Sequence, residues 1–167
     1  MIWRIKGFSL LELLIALSIL AIIMGLSSSA FVGRIQKESS ETIAQQIFHS
    51  LHFARMEAIK ANQIVSVCGT SDFQSCSLDW TQGSMVYIDV NRDGTFSSED
   101  TILRINKHKP NLVQVTSGKV ISIKYAPDGR CTTRSTLIIH NNNTPACKIV
   151  VYDSGRARIE YKLASLA

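Results

Sequence analysis

The sequence predicts an α+β protein in which one long N-terminal helix packs on a C-terminal antiparallel β-sheet domain. No proline occurs before Pro110, so nothing breaks a helix that runs from about Ser9 toward Ala61. After the segment "KANQ" the chain changes to short stretches of β-branched residues separated by Gly, Asn, Asp or Pro. One helical region followed by one region of strands is typical of the α+β class.

The length of the chain and the distribution of its charge limit the possible domain organisation. The chain has 167 residues, which suits one globular domain with an appendage, since a domain usually takes about 100 to 150 residues. Residues 1–103 hold seven Lys or Arg and ten Asp or Glu, a net charge of −3, whereas residues 104–167 hold eleven and three, a net charge of +8. The basic character of the protein therefore belongs to its C-terminal part.

The N-terminal segment has the features of a membrane helix. Arg4 and Lys6 precede an apolar stretch over residues 8–26, which is long enough to cross most of a hydrocarbon core about 30 Å thick. The positive-inside rule places these two basic residues in the cytoplasm and the rest of the chain outside it. Glu12 interrupts the apolar stretch, and an intramembrane carboxylate normally has a partner. The alternative is a carboxylate that reaches the interface near the positive end of the helix dipole.

The second half of the helix is predicted to be amphipathic. Apolar residues recur at spacings of three and four, which places them on one face of a helix. They are Ile43, Ile47, Leu51, Ala54 and Ala58. We expect this face to pack on a β-sheet.

Eight candidate strands follow the helix. They are "IVSVCG", "SMVYIDV", "TILRIN", "LVQVTS", "VISIKYA", "STLIIH", "KIVVYD" and "RARIEYK". Many of them alternate apolar and polar residues, which predicts strands with one buried face.

Four cysteines without a C-x-x-C spacing indicate two disulfides in an oxidising compartment. Sequence alone permits three pairings. Proximity favours Cys68 with Cys76 and Cys131 with Cys147, each closing a loop and stabilising the fold by about 2 to 4 kcal/mol.

The segment "DVNRDGTFSSED" has two interpretations. Asp89, Asn91, Asp93, Gly94 and Asp100 stand at positions one, three, five, six and twelve of a calcium-binding loop. The same residues are ordinary turn formers after a strand, and we favour the turn. Calcium is the weaker alternative, and no cofactor is predicted.

The segment "KGFSLLELLIALSIL" resembles the type III signal of type IV pilins and type II secretion pseudopilins. The resemblance implies that residues 1–7 are a leader removed by a prepilin peptidase between Gly7 and Phe8, with methylation of the new Phe8 amine. Glu12 then becomes an assembly residue whose carboxylate meets the N-terminal amine of a neighbouring subunit. It also implies a pilin-like fold and anchoring in the inner membrane by a single span, before assembly with major and minor pilins into a surface pilus.

Under this resemblance the chain divides into four regions. After the leader come a transmembrane and assembly helix over 8–30, an amphipathic second half of the helix over 31–62, and a globular β domain over 63–167. Within the pilin-like proteins, "GSMVYIDVNRDG" resembles a stretch frequent in the GspH/FimT subgroup. "GRAR", residues 155–158, resembles the Gly-Arg-x-Arg signature of FimT-like minor pilins that bind DNA during natural transformation.

This signature has a clear physical meaning. In an extended strand Arg156 and Arg158 point to the same side, so both guanidinium groups meet phosphates while Ala157 faces away. Gly155 allows a turn or a close approach. The other predicted DNA-binding residues are Lys162, Lys148, Arg134, Arg130 and Lys124. Such contacts give sequence-independent, salt-sensitive binding.

Few aromatic residues accompany these basic residues, which favours contact with a duplex backbone over stacking on single strands. The alternative function is a purely structural minor pilin or secretion pseudopilin that contacts other subunits only. We expect no enzymatic activity, because the sequence has no Gly-x-Ser-x-Gly elbow, metal-ligand cluster or coherent pair of nucleophile and base.

Overall fold

The computed structural model describes residues 9–109, 113–141 and 144–161, without the side chains of residues 25–34 and 36. The elements in chain order are α1 Leu10–Ala61, β1 Val65–Gly69, β2 Gly83–Ile88, β3 Thr101–Lys107, β4 Val113–Thr116, β5 Ser122–Tyr125, β6 Ser135–Asn141, β7 Thr144–Val151 and β8 Ala157–Tyr161. Each of the eight candidate segments contributes one strand. The predicted α+β fold, a long helix packed on antiparallel sheet, is confirmed.

Both ends of α1 are capped by local interactions. At the start, the Ser9 hydroxyl oxygen accepts a hydrogen bond from the Glu12 amide at 3.2 Å, which satisfies one of the free N–H groups of the first turn. At the end, Asn62 adopts a positive φ of 54°, and the Gln63 amide donates to the Ala58 carbonyl at 3.3 Å. This pattern closes a helix in the Schellman manner.

The chain divides into two compact units, one up to Ile35 and one from Gln36 onward. In the first unit the large apolar side chains described between Leu10 and Met24 are exposed. No helix in the described part of the chain is both long and apolar enough to be identified as a membrane span. The predicted leader, with its cleavage residues Gly7 and Phe8, lies outside the described residues.

The second unit contains two four-stranded antiparallel sheets. Sheet A has the strand order β3, β2, β1, β5, and sheet B has the order β4, β6, β7, β8. In sheet A, Val67 of β1 lies opposite Val86 of β2 and Ile123 of β5. In sheet B, Ile149 of β7 lies opposite Leu137 of β6 and Ile159 of β8.

One hydrophobic core joins the helix to both sheets. The predicted helix stripe of Ile43, Ile47, Leu51, Ala54 and Ala58 is buried. It packs in one cluster with the inward residues of sheet A, among them Val65, Val67, Val86, Ile123 and Tyr125. The same cluster includes inward residues of sheet B, namely Val113, Val115, Leu137, Ile139, Cys147, Ile149, Val151 and Ala157. Each sheet therefore has one face toward this core and one outer face.

The outer face of sheet A is covered by loops of the same chain. It comprises Ser66, Cys68, Met85, Tyr87, Ser122 and Lys124. Cys68, Met85 and Tyr87 form a second small buried cluster with Cys76 and Phe96, and the Tyr87 and Phe96 rings meet edge to face with centroids 5.1 Å apart. The predicted disulfide between Cys68 and Cys76 is present and ties the loop after β1 to the sheet.

The predicted disulfide between Cys131 and Cys147 is wrong, because both residues are free, buried thiols. The Cys131 amide donates to the carbonyl of Asp153, beyond the C-terminal end of β7, whereas Cys147 lies toward the other end of that strand, opposite Ile139. The four residue steps from Cys147 to Val151 alone span about 13 Å, and a disulfide requires Cα atoms within about 7 Å. Burial raises the pKa of the Cys131 thiol and raises the pKa of the Cys147 thiol to about 11.

The acidic segment after β2 forms a turn-rich loop held by its own carboxylates. Asp89 Oδ2 accepts from the Gly94 amide, Asp93 Oδ1 from the Thr95 amide, and Asp100 from the amides of Val90 and Ser97. In the described ranges no group of three or more His, Cys, Asp or Glu is arranged to hold a metal ion. These contacts give Asp89, Asp93 and Asp100 a structural role in the loop, and Asn91 contributes by accepting from the Asp93 amide.

Candidate nucleic-acid interface

Arg156 and Arg158 lie together at one end of sheet B. With Tyr152 and Ser154 they line an open cavity of about 370 Å³. Both arginines are exposed, and within the described ranges neither forms an ion pair with a carboxylate. The cavity therefore presents two available guanidinium groups.

The strand register places these arginines on the outer face of sheet B. Arg158 lies opposite Val150, and Ala157, opposite Val151, is buried in the core. Since side chains alternate along an extended chain, Arg156 and Arg158 point to the outer face of sheet B, opposite to the core face of Ala157. The outer face of sheet B comprises Thr136, Ile138, Lys148, Val150, Arg158 and Glu160.

A tight turn between β7 and β8 sets the position of Arg156. The Tyr152 amide donates to the Arg156 carbonyl at 3.0 Å, and the Gly155 amide donates to the Tyr152 carbonyl at 2.8 Å. Gly155 has a φ of +76°, and a Cβ atom there would collide with the Gly129 carbonyl oxygen. The turn thus requires glycine for both its backbone angle and its packing.

The turn at Gly155 packs against a second turn, at Gly129, which is held in turn by a side chain of α1. Gly129, in the turn after β5, has its amide bonded to the Ala126 carbonyl at 2.8 Å. The Arg55 Nε atom of α1 donates to the Gly129 carbonyl oxygen at 3.0 Å. Arg55 of the helix therefore anchors the surface on which the Gly155 turn rests.

Two further predicted DNA-binding residues lie at the same end of sheet B. Ser135 pairs with Val151, so continuing the register by one residue places Arg134 beside Tyr152. Arg130 follows Gly129 in the supporting turn. Both arginines are exposed and extend the positive surface that Arg156 and Arg158 begin.

Lys148 and Lys124 do not contribute in the same way. The Lys148 Nζ atom lies 3.0 Å from Glu160 Oε2, across the pair of β7 and β8. Lys124 belongs to sheet A, where its ammonium group lies against Gly94 and its positive charge helps to lower the pKa of Asp93, after the hydrogen bonds from Thr95. Lys162 lies outside the described residues.

Glu12 is in the first turn of α1, where its carboxylate is exposed. A negative charge at this position is favoured by the partial positive charge of the helix N-terminus. This arrangement leaves the carboxylate accessible to a positive group from outside the chain.

Three residues of this site were not among the predicted binding residues. Tyr152 and Ser154 line the cavity, and Arg55 supports the turns beneath it. For Tyr152 a signal existed, because it stands four residues before Arg156 across a Ser-Gly turn. For Arg55 there was none, since its contact joins residues that are 74 positions apart.

Comparison with known proteins gives two family matches. Residues 44–155 match the family of the type II transport protein GspH, and residues 4–28 match the prokaryotic N-terminal methylation motif. None of the curated proteins matches the chain.

Two crystal structures of the type IV minor pilin FimU from Pseudomonas aeruginosa strain PAO1 are similar in fold. The structure in space group P65 has a TM-score of 0.57 and 19% identity, covering 72% of this chain and 91% of FimU. The structure in space group P21 has a TM-score of 0.59 and 19% identity, covering 78% of this chain and 92% of FimU. At this identity the likeness concerns the fold.

Proposed function

The chain belongs to the family of the type II transport protein GspH, and from this premise we propose that it is a minor type IV pilin that binds extracellular DNA through the outer face of sheet B. The predicted membership of the GspH/FimT subgroup is confirmed at the level of the family. In the proposal, DNA held by the pilus is drawn in during natural transformation.

The observation that carries the proposal is a pair of exposed arginines, Arg158 in β8 and Arg156 directly before it, neither of which has an ion pair within the described ranges. Arg156 and Arg158 are two residues apart, which is about 6.6 Å in an extended chain. The hydrogen bond from the Tyr152 amide to the Arg156 carbonyl extends the register of β7 and β8 by one pair, so alternation directs both side chains to one side of the sheet. Guanidinium groups bind phosphate oxygens through two parallel hydrogen bonds. Two of them in a row, with Arg134 and Arg130 nearby, suit a polyanionic backbone of any sequence.

The N-terminal part of the chain supports the assembly side of the proposal. The methylation motif and the family indicate a membrane-anchored periplasmic pilus component. We further propose cleavage between Gly7 and Phe8, anchoring by a single span of the inner membrane, and incorporation into a surface pilus. Glu12 then pairs with the methylated amine of Phe8 in a neighbouring subunit, which offsets the cost of placing either charge in lipid.

A second candidate function is a structural subunit without DNA binding. It is favoured by the family model, which describes a transport protein of the type II system. Members of this family are structural proteins rather than enzymes, and under this candidate the arginines contact an acidic surface of another subunit.

The test measures binding of a short duplex by the full chain in a neutral detergent, at low and at raised salt. We expect the wild type to bind, to weaken with salt, and to lose at least about tenfold in affinity in Arg156→Gln/Arg158→Gln, with a salt slope smaller by up to about 2. In cells, the same variant should assemble pili and take up less DNA. If the wild type binds no DNA at low salt while folded, the structural candidate replaces this proposal.

A further inference from the structure

The cavity that Arg156 and Arg158 line contains one aromatic side chain, that of Tyr152. Its residue is 36% exposed, although it directly follows Val151, which is fully buried. Tyr87 and Tyr125, in contrast, are buried in the two hydrophobic clusters.

The geometry of the turn keeps Tyr152 next to both arginines. Its amide donates to the Arg156 carbonyl, so the two residues are cross-strand neighbours with Cβ atoms about 5 Å apart. Arg158 is the diagonal neighbour, about 7 to 8 Å away, which a long side chain spans. Ser154, at the tip of the turn, adds a hydroxyl group to the same cavity.

We propose that Tyr152 forms a stacking subsite for one unpaired nucleotide, an inference that rests on the proposed DNA binding and extends it to single strands and frayed ends. The ring offers a flat apolar face to a base. Arg156, directly across from the ring, and Arg158, diagonal to it, meet the phosphates that flank that base. A volume of about 370 Å³ is near the lower end for small-ligand sites, about 300 to 1,000 Å³, which fits one nucleotide rather than several.

A stacking subsite at Tyr152 distinguishes single-stranded DNA from duplex DNA. In a duplex each base is already stacked between its neighbours and paired, so its face is closed to a protein ring, and only the backbone reaches the arginines. In a single strand a base turns outward and stacks on Tyr152 without regard to its identity. The site therefore holds unpaired DNA by stacking and charge together, and paired DNA by charge alone.

The experiment compares three ligands of equal length with the full chain in neutral detergent: an oligothymidine, a blunt duplex and an abasic single strand. The proteins are the wild type, Tyr152→Ala, Tyr152→Phe and Tyr161→Ala. Tyr161 is the matched control, an exposed tyrosine at the other end of β8 whose hydroxyl accepts from Gln45 Nε2 at 2.6 Å and which does not line the cavity.

We expect Tyr152→Ala to weaken oligothymidine binding by about tenfold and to change duplex and abasic binding by less than about twofold. Tyr152→Phe should restore wild-type affinity, and Tyr161→Ala should leave all three affinities unchanged. The stacking subsite is overturned if Tyr152→Ala lowers the affinity for the three ligands equally or does not lower the affinity for oligothymidine. It is also overturned if Tyr152→Phe fails to restore binding. If any of these results is obtained while the wild type still binds the duplex, the proposed function is retained and only the stacking subsite is rejected. If the wild type binds none of the three ligands, both the stacking subsite and the proposed function are rejected.

Discussion

The outer faces of the two sheets differ in what covers them. Sheet A is covered by its own loops, with Phe96 against Tyr87 and the Cys68–Cys76 disulfide beneath them. The part of sheet B described here presents Arg156 and Arg158 to solvent on its outer face. One face is a second small core, and the other is a charged surface.

This difference shows that position, rather than charge, decides which basic residues are available for binding. Lys124 is on the covered face and lies against the acidic loop. Lys148 is on the open face, but Glu160 neutralises it at 3.0 Å. Of the predicted binding residues, Arg130, Arg134, Arg156 and Arg158 are exposed without an ion pair in the described ranges.

Loss of the disulfide that covers sheet A should change the stability of the protein most. We expect Cys68→Ser/Cys76→Ser to lower the free energy of unfolding by about 2 to 4 kcal/mol, because the disulfide no longer restricts the unfolded chain. Urea unfolding measures the change. DNA affinity should stay within about twofold of wild type under conditions where the variant is folded, since the arginines are on the other sheet. A loss of DNA binding by the folded variant would contradict the separation of the two faces.

The next effect concerns the turn that carries Arg156. We expect Gly155→Ala to lower the unfolding free energy by at least about 2 kcal/mol, because a left-handed alanine costs about 1 to 2 kcal/mol and its Cβ meets the Gly129 carbonyl. DNA affinity should fall as well, since the turn must shift.

The matched control is Gly118→Ala. Gly118 has a similar φ of +66° but no atom within 4 Å of an added Cβ, so about 1 kcal/mol is expected, with unchanged DNA affinity. Equal destabilisation by the two substitutions would show that Gly155 does not rest on the Gly129 turn.

A smaller effect should come from freeing a cation on the open face. Glu160→Gln releases Lys148 from its ion pair, so we expect duplex affinity to rise about two- to fivefold and the salt slope to increase by up to about 1. Stability should change by less than about 1 kcal/mol, because the pair is partly exposed. Glu57→Gln is the control, since it removes the same charge from the pair with Lys60 on α1. An equal rise in the control would mean that net charge alone matters.

Most of the fold was predictable from the sequence. The spacing from Ile43 to Ala58 predicted the buried face of α1, and alternating β-branched segments predicted all eight strands, because local periodicity reports burial directly. The separation of Cys131 from Cys147 was not predictable, because nearness along the chain says nothing about which end of β7 each residue lies beside.

The site was predictable only in part. Because side chains alternate between the two sides of an extended chain, the sequence predicts that Arg156 and Arg158 point to one side. This prediction requires only the three residues from 156 to 158. The ion pair of Lys148 with Glu160 and the position of Lys124 against the acidic loop arise from cross-strand and loop contacts, which depend on register. The support from Arg55 depends on two turns that meet only in the folded protein.

In the proposed function, DNA is bound by Arg156 and Arg158, which have no ion pair in the described ranges, rather than by total positive charge. The direct measurement compares Arg156→Gln/Arg158→Gln with Lys124→Gln/Lys148→Gln, two variants of identical net charge, for duplex affinity and its salt dependence. We expect at least about a tenfold loss and a reduced salt slope for the arginine pair, and less than about a threefold loss for the lysine pair. Equal losses in the two variants would contradict it, because binding would then depend on overall charge.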